Sequence, residues 1–383
     1  MLNSDANITQ LEELIAELRL QKAPSTQLID ALNELAQALS AVDIQRALEA
    51  SKEAHALAYL LRHHMGLAAS LARLSWLHLE AGAFDKAVIE AHQAQFMAEQ
   101  LHDYVLTTRA IYVLAVAQRI AGNYAKAETH WRHLLSLAQS NSDVARQANF
   151  LNSLGRLFED QREFESALDH YRQAHDLLVQ LNDTGYILTK NNMAYAMVMR
   201  GRHEEALALV QQALHLCDPS WQVWRALFLH TLGVVHMHME EYDSARSELG
   251  ESLSLSLSPA GRKTTAVEAL IDIARLELSN KRVPAAYDAL EQAVNLAAEI
   301  KALPLEAQAH KMLVRLHANA RDQDGADRHH DAYLTIQNKI ELKRIERHVG
   351  LMRAEAKVAQ LRPVWLQESR QLAHVPLDPY PTF

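Results

Sequence analysis

The sequence predicts an all-α protein, a solenoid of about eight helical hairpins with a long C-terminal helix. Three observations predict it: a repeat of about forty residues, apolar residues recurring at helical spacing, and no segment with strand alternation. Aligned on one small residue per repeat, the chain gives Ala47, Ala87, Ala127, Ala167, Ala206, Ala245, Ala286 and Ala326. Successive differences are 40, 40, 40, 39, 39, 41 and 40. Twelve residues before most of these sits a second small residue: Ser75, Ala115, Gly155, Ala194, Gly233, Ala274. Each is preceded by an apolar one, from Leu74 to Ile273.

The stretch Leu151–Ala174 is the plainest copy. Leu151, Leu154, Gly155 and Phe158 share one face of a first helix, and Phe164, Ala167, Tyr171 and Ala174 share one face of a second. Gly155 and Ala167 leave room for close backbone approach, and the bulky residues fill the grooves beside them. Such a hairpin cannot cover both of its apolar faces alone, so it needs copies above and below.

Taken in order, residues 1–22 read as an amphipathic helix with Ile8, Leu11, Leu14, Ile15 and Leu18 on one face. Pro24 ends it, and Ser25 caps a helix from about Thr26 that pairs with Ile44–Leu61. Residues 1–42 thus form an N-terminal cap, and 43–325 form the regular array. Its loops carry Asp103, Ser142-Asp143, Asp183-Thr184, Asp218-Pro219-Ser220, Ser258-Pro259 and Leu303-Pro304. Gly82, Gly122 and Gly201 mark turns that require a positive φ. A long helix over 326–362 completes the last repeat, and Pro363 is expected to end it before a proline-containing tail, 363–383. Leu342, Ile345, Val349, Met352, Ala356 and Ala359 form a heptad seam on this helix. The seam serves either a cap across the final repeat or a projecting helix that pairs with a partner, with a homodimer as one outcome.

The segments GAFDKA, GNYAKA, REFESA, GRHEEA and EEYDSA, at 82, 122, 162, 201 and 240, resemble the intra-repeat turn of the tetratricopeptide repeats. The usual period there is about 34 residues. The longer period resembles variants in bacterial peptide-responsive regulators, kinesin-light-chain-like adaptors and cyclase sensor modules. The resemblance, over roughly 43–340, implies a right-handed superhelix whose concave wall, lined by first helices, binds proteins or peptides. It implies a scaffold that holds an extended segment of a partner. The alternative it offers is a signalling regulator acting in trans on a kinase, cyclase or response regulator through the C-terminal helix. The first forty residues do not match the N-terminal bundle of peptide-regulated phosphatases, so an enzyme of that kind ranks third.

Composition agrees with a binding role. A net charge of −9 gives no basic footprint for nucleic acid, so none is expected as a partner. One cysteine, Cys217, excludes an internal disulfide and fits a reducing compartment. The N-terminus lacks the pattern of a secretory signal, and no apolar run approaches the roughly 18 residues of a membrane helix. A cytoplasmic protein with no membrane contact is expected. Neither a nucleophile motif nor a phosphate-cradling glycine loop is present, so no enzyme activity and no cofactor are expected. The histidine groups His63-His64, His130 with His133, His236 with His238 and His329-His330 match no metal-ligand spacing. Trp221 and Trp224 stand either as an exposed apolar patch or as packing between repeats.

Candidate binding residues occupy first-helix positions that alternate with the packing ones. They are Arg109 and Tyr112; Asn149, Asn152 and Arg156; Asn191 and Tyr195; His230; Glu268 and Arg275; and Lys311 and Arg315. Asn152 and Asn191 are expected to lie one above the other. An asparagine amide offers the donor and acceptor that a peptide backbone needs, and arginine grips a carboxylate with two parallel bonds. The set departs from the lysine–asparagine clamp used for chaperone tails.

Overall fold

The computed structural model describes residues 2–21, 25–40 and 42–372, which form helices joined by short turns. In chain order these are α1 (Leu2–Arg19), α2 (Thr26–Leu39), α3 (Ile44–Leu60), α4 (His64–Glu80), α5 (Phe84–Gln100) and α6 (Tyr104–Ile120). There follow α7 (Tyr124–Ser140), α8 (Val144–Asp160), α9 (Phe164–Gln180), α10 (Gly185–Met199), α11 (His203–Leu216) and α12 (Gln222–His238). The last are α13 (Tyr242–Leu257), α14 (Lys263–Ser279), α15 (Val283–Glu299), α16 (Leu303–Asn319) and α17 (Gln323–Leu372). From α2 onward they run as eight successive hairpins, α2/α3 to α16/α17. Pro24 and the tail after residue 372 lie outside the described residues.

The small residues sit where the repeat places them. Ala47, Ala87, Ala127, Ala167, Ala206, Ala245 and Ala286 are fully buried, and Ala326 nearly so. At Gly155 an added Cβ would run into the Tyr171 ring, and at Gly233 it would lie 2.7 Å from Leu249 Cγ. The neighbouring second helix therefore uses the missing side chain as its seat.

The turns explain the period. Gly82 has φ +78°, its N–H donates to Leu79 O at 3.0 Å, and Ala83 N–H donates to His78 O at 2.8 Å. This pair of bonds satisfies carbonyls at the helix end that have no intrahelical partner. The same turn recurs at Arg62, His102, Gly122, Ser142, Arg162 and Asn182, twenty residues apart, and again at Gly201, Glu240, Lys281, Lys301 and Arg321. A helix of 17 residues plus a three-residue turn makes most half-repeats. Non-glycine residues pay about 1 kcal/mol for this conformation, which stacking repays. The two loops carrying Pro219 and Pro259 end differently, on extended residues Cys217 and Ser258.

Side chains cap several helix starts. Ser25 Oγ accepts from Leu28 N, and Asp103 Oδ1 accepts from Leu106 N at 2.7 Å. On α1 the residues Ile8, Leu11, Ile15 and Leu18 are buried, whereas Leu14 is 44% exposed. Leu14 lies on the edge of that face, one position off the stripe that meets α2. Trp221 and Trp224 form no open patch. They are half-buried, pack edge to face at 5.0 Å, and lean on the buried Phe228.

The chain divides into two compact units. One comprises the residues up to Leu137 together with those from Ile345 onward; the other is Ala138–Arg344. In the first unit, α17 corrects two expectations. It does not end at Pro363, and its last part packs on this unit's core where a cap across the final repeat or a projecting helix is expected. It runs on through Pro363 to Leu372, and its buried residues Leu351 and Ala354 join a core with Leu79, Phe84, Val88, Leu114 and Ala117. A proline inside a helix costs about 3 kcal/mol. Beyond it, Trp365 is buried against Phe96, with ring centroids 6.0 Å apart, and this contact holds the next turn in place. Around this core, Glu355 receives bonds from Lys126 (2.8 Å) and Gln118 (3.2 Å), and Arg347 lies over the Phe84 ring. His92 is held at a pKa of about 4, first by burial and then by the positive charge of His130.

Candidate functional site

The second unit contains a cleft of about 590 Å³, within the roughly 300–1,000 Å³ typical of ligand pockets. Five first helices contribute to its wall: α8, α10, α12, α14 and α16. Side chains that alternate with the packing positions point into it, because the packing positions are spent on the second helices.

Asn152, Arg156, Asn191, Tyr195, His230, Glu268 and Arg275 all line the cleft. Five other candidates do not reach it. Asn149 is exposed elsewhere on α8; Lys311 and Arg315 are exposed on α16, which presents Leu305 and Gln308 instead. Arg109, exposed, belongs to the first unit, where its charge assists burial in lowering the Arg73 pKa to about 10. Tyr112, also of the first unit, is consumed by packing: its ring lies 5.8 Å from Trp76 and 4.9 Å from Trp131.

The expected asparagine stack exists with a corrected member. Asn192 Nδ2 donates to Asn152 Oδ1 at 3.0 Å, so the residue forty positions on, and not Asn191, completes the pair. The reason is a shortened helix: α10 has 15 residues, so spacing measured at the small residues slips by one there. Asn191 lies beside the pair, 3% exposed, and its Oδ1 has no hydrogen-bond partner. A buried amide oxygen left unpaired costs about 1–3 kcal/mol.

At the other end of the wall stands a charged group. His230 Nε2 lies 2.9 Å from Asp272 Oδ2, and Arg275 Nη1 donates to Asp272 Oδ1 at 2.5 Å. Burial works to lower the His230 pKa, but the hydrogen bond and charge of Asp272 outweigh it and leave the value raised. Burial likewise works to raise Asp272, and His230 with Arg275 brings it below the ordinary carboxylate value. Glu268, one helical turn before Asp272, is raised by burial. Between these groups stands Tyr195, whose phenol is raised by burial and by the nearby acids Glu159, Asp272 and Glu268. Glu159 itself accepts from Tyr171 Oη at 2.8 Å.

Asn192, Asp272 and Glu159 were not among the sequence candidates. Asn192 is legible by adding forty to Asn152. Asp272 carries no pattern of its own, since only the fold brings it to His230, 42 residues earlier. Among the described residues no group of three or more His, Cys, Asp or Glu is placed to hold a metal ion, and no helix is long and apolar enough to cross a membrane.

A stack of helical hairpins with a polar cleft on its first helices defines a helical-repeat protein. Residues 107–180 match the tetratricopeptide repeat model. The transcriptional activator NprA of Geobacillus stearothermophilus is 30% identical over 151 residues, which are 38% of this chain. The match spans only 36% of NprA's own length. The apo form of the quorum sensor NprR from B. thuringiensis has a similar fold, with a TM-score of 0.63 and 13% identity. The similarity covers 85% of this chain and 92% of NprR. A Rap protein complexed with competence and sporulation factor is similar at a TM-score of 0.59 and 14% identity, over 91% of this chain and 99% of that one.

Proposed function

We propose that the cleft of the Ala138–Arg344 unit holds an extended peptide, or an extended segment of a partner protein, and that the protein is a non-enzymatic regulator. One observation carries the reading: Asn191 presents a buried, unpaired Oδ1 beside the Asn152–Asn192 amide pair. A peptide N–H supplies the missing donor, and a peptide is the common ligand that repeats such donors along a line. Arg156 and Arg262, both exposed at the cleft, suit a carboxylate of the same ligand. Two structures of similar fold, a quorum sensor and a Rap protein complexed with competence and sporulation factor, support a ligand-holding role for such a wall. NprA, described as a transcriptional activator, supports a regulatory output.

The test is a displayed library of short random peptides panned against the full chain. Recovered peptides are then titrated against Asn152→Ala/Asn192→Ala and against Asn191→Ala. The double variant removes two backbone contacts of about 1 kcal/mol each, so binding weakens roughly tenfold or more while the melting temperature stays within a few degrees. Peptides that bind the double variant as well as the wild type refute the assignment.

A further inference from the structure

The long helix α17 carries two apolar stripes on nearly opposite sides. The inner one, Leu351, Ala354, Val358, Leu361 and Trp365, is turned to the first unit's core, with Leu351, Ala354 and Trp365 buried. The outer one is the heptad seam, and it is uncovered: Leu342, Ile345, Val349 and Met352 are 59, 50, 37 and 59% exposed. In heptad positions the seam occupies a and d while the docked stripe occupies c and f. Docking therefore turns the seam toward solvent.

We infer that this seam pairs α17 with α17 of a second copy of the chain, in antiparallel orientation. Two features choose both the occupant and the direction. The first is size. The seam runs from large residues, Leu342 and Ile345, through Val349 and Met352, to the small Ala356 and Ala359. Antiparallel pairing sets Val349 against Met352 of the second copy, Ile345 against Ala356, and Leu342 against Ala359. Leu342 and Ile345 each meet an alanine and the intermediate Val349 meets Met352, which fills the layers evenly. Parallel pairing would place alanine on alanine at one end and crowd Leu342 on Leu342 at the other.

The second feature is charge on the flanking positions. Antiparallel pairing brings Glu346 beside Arg353 of the second copy, twice by symmetry. Parallel pairing brings Glu341 beside Glu346 and His348 beside Arg353, both unfavourable. Glu346 and Arg353 are exposed on α17, so both are available for this contact. An 18-residue seam is about 27 Å long, and so short an interface belongs to the weak, concentration-dependent class.

Sedimentation velocity of the full chain over a concentration series tests this. A monomer–dimer equilibrium is expected in the micromolar range. Val349→Lys with Met352→Lys should leave a monomer with unchanged helix content and melting temperature. Arg353→Glu should weaken association several-fold, and adding Glu346→Arg should restore it. For direction, Val349→Cys and Met352→Cys proteins are mixed and oxidised, with Cys217 buried and out of reach. Mixed disulfides between the two variants should form in preference to Val349→Cys self-pairs. A chain that stays monomeric, associates equally well as the double lysine variant, or prefers Val349→Cys self-pairs overturns the inference.

Discussion

The two units use one hairpin for different ends. In the Ala138–Arg344 unit, positions between the packing residues hold asparagines, arginines and acids, and these gather in an open cleft. In the unit of residues up to 137 and from 345, the corresponding tyrosine is absorbed between two tryptophans, and an apolar surface is covered by α17. Repeat geometry is the same in both, down to the left-handed residue at most turns. What differs is the residue type at positions that the fold leaves uncommitted. Packing positions therefore define architecture, and the intervening ones define which surface is available to a ligand.

The largest effect expected from breaking this contrast comes from Asp272→Ala. It strands His230 in a site with almost no solvent, and removing one partner of a buried pair costs about 3 kcal/mol. The pH dependence sharpens the test. His230 has a raised folded pKa, so its contribution is complete below the unfolded value of about 6.5 and fades as pH rises through the folded value. Asp272 has a lowered one, so its contribution is complete above about 3.9 and fades as pH falls through the folded value. Denaturant titrations should therefore show the wild type's greatest advantage over Asp272→Ala between those two pH values.

Next in size is Gly155→Val, which drives a side chain into the Tyr171 ring and breaks its bond to Glu159. Overpacking of this kind costs about 2 kcal/mol. By contrast, Gly82→Ala in the first unit meets nothing within 4 Å and suffers only from its φ of +78°. Its expected cost is about 1 kcal/mol, seen as a smaller fall in melting temperature. The smallest effect belongs to Lys126→Ala. The Lys126–Glu355 pair is about half exposed, so calorimetry should register less than about 1 kcal/mol.

Most of the fold was legible because packing imposes a period. Every aligned alanine is buried, and the glycine turns have the positive φ that their spacing implies. Half of the candidate wall was legible for the same reason, since residues alternating with packing positions must face outward. Three things were hidden. The shortened α10 moved the asparagine partner from Asn191 to Asn192, a one-residue slip from the register that the small residues set. Tyr112 occupies a groove-facing register but finds Trp76 and Trp131 near enough to pack against. The continuation of α17 past Pro363 depends on Trp365 meeting Phe96, a contact between residues more than 260 apart. Local sequence carries no record of such contacts.

The contrast between the two tyrosines gives the most direct test of the role proposed for the cleft. A photoreactive benzoylphenylalanine is placed at Tyr195 in one protein and at Tyr112 in another, and each is irradiated with a mixed pool of short peptides. Mass spectrometry should find peptide joined to the Tyr195 position, with the yield falling when Asn152 and Asn192 are both alanine, and background at Tyr112. Equal labelling at both positions, or labelling at Tyr195 unchanged by the asparagine substitutions, would contradict a peptide-binding cleft in this unit.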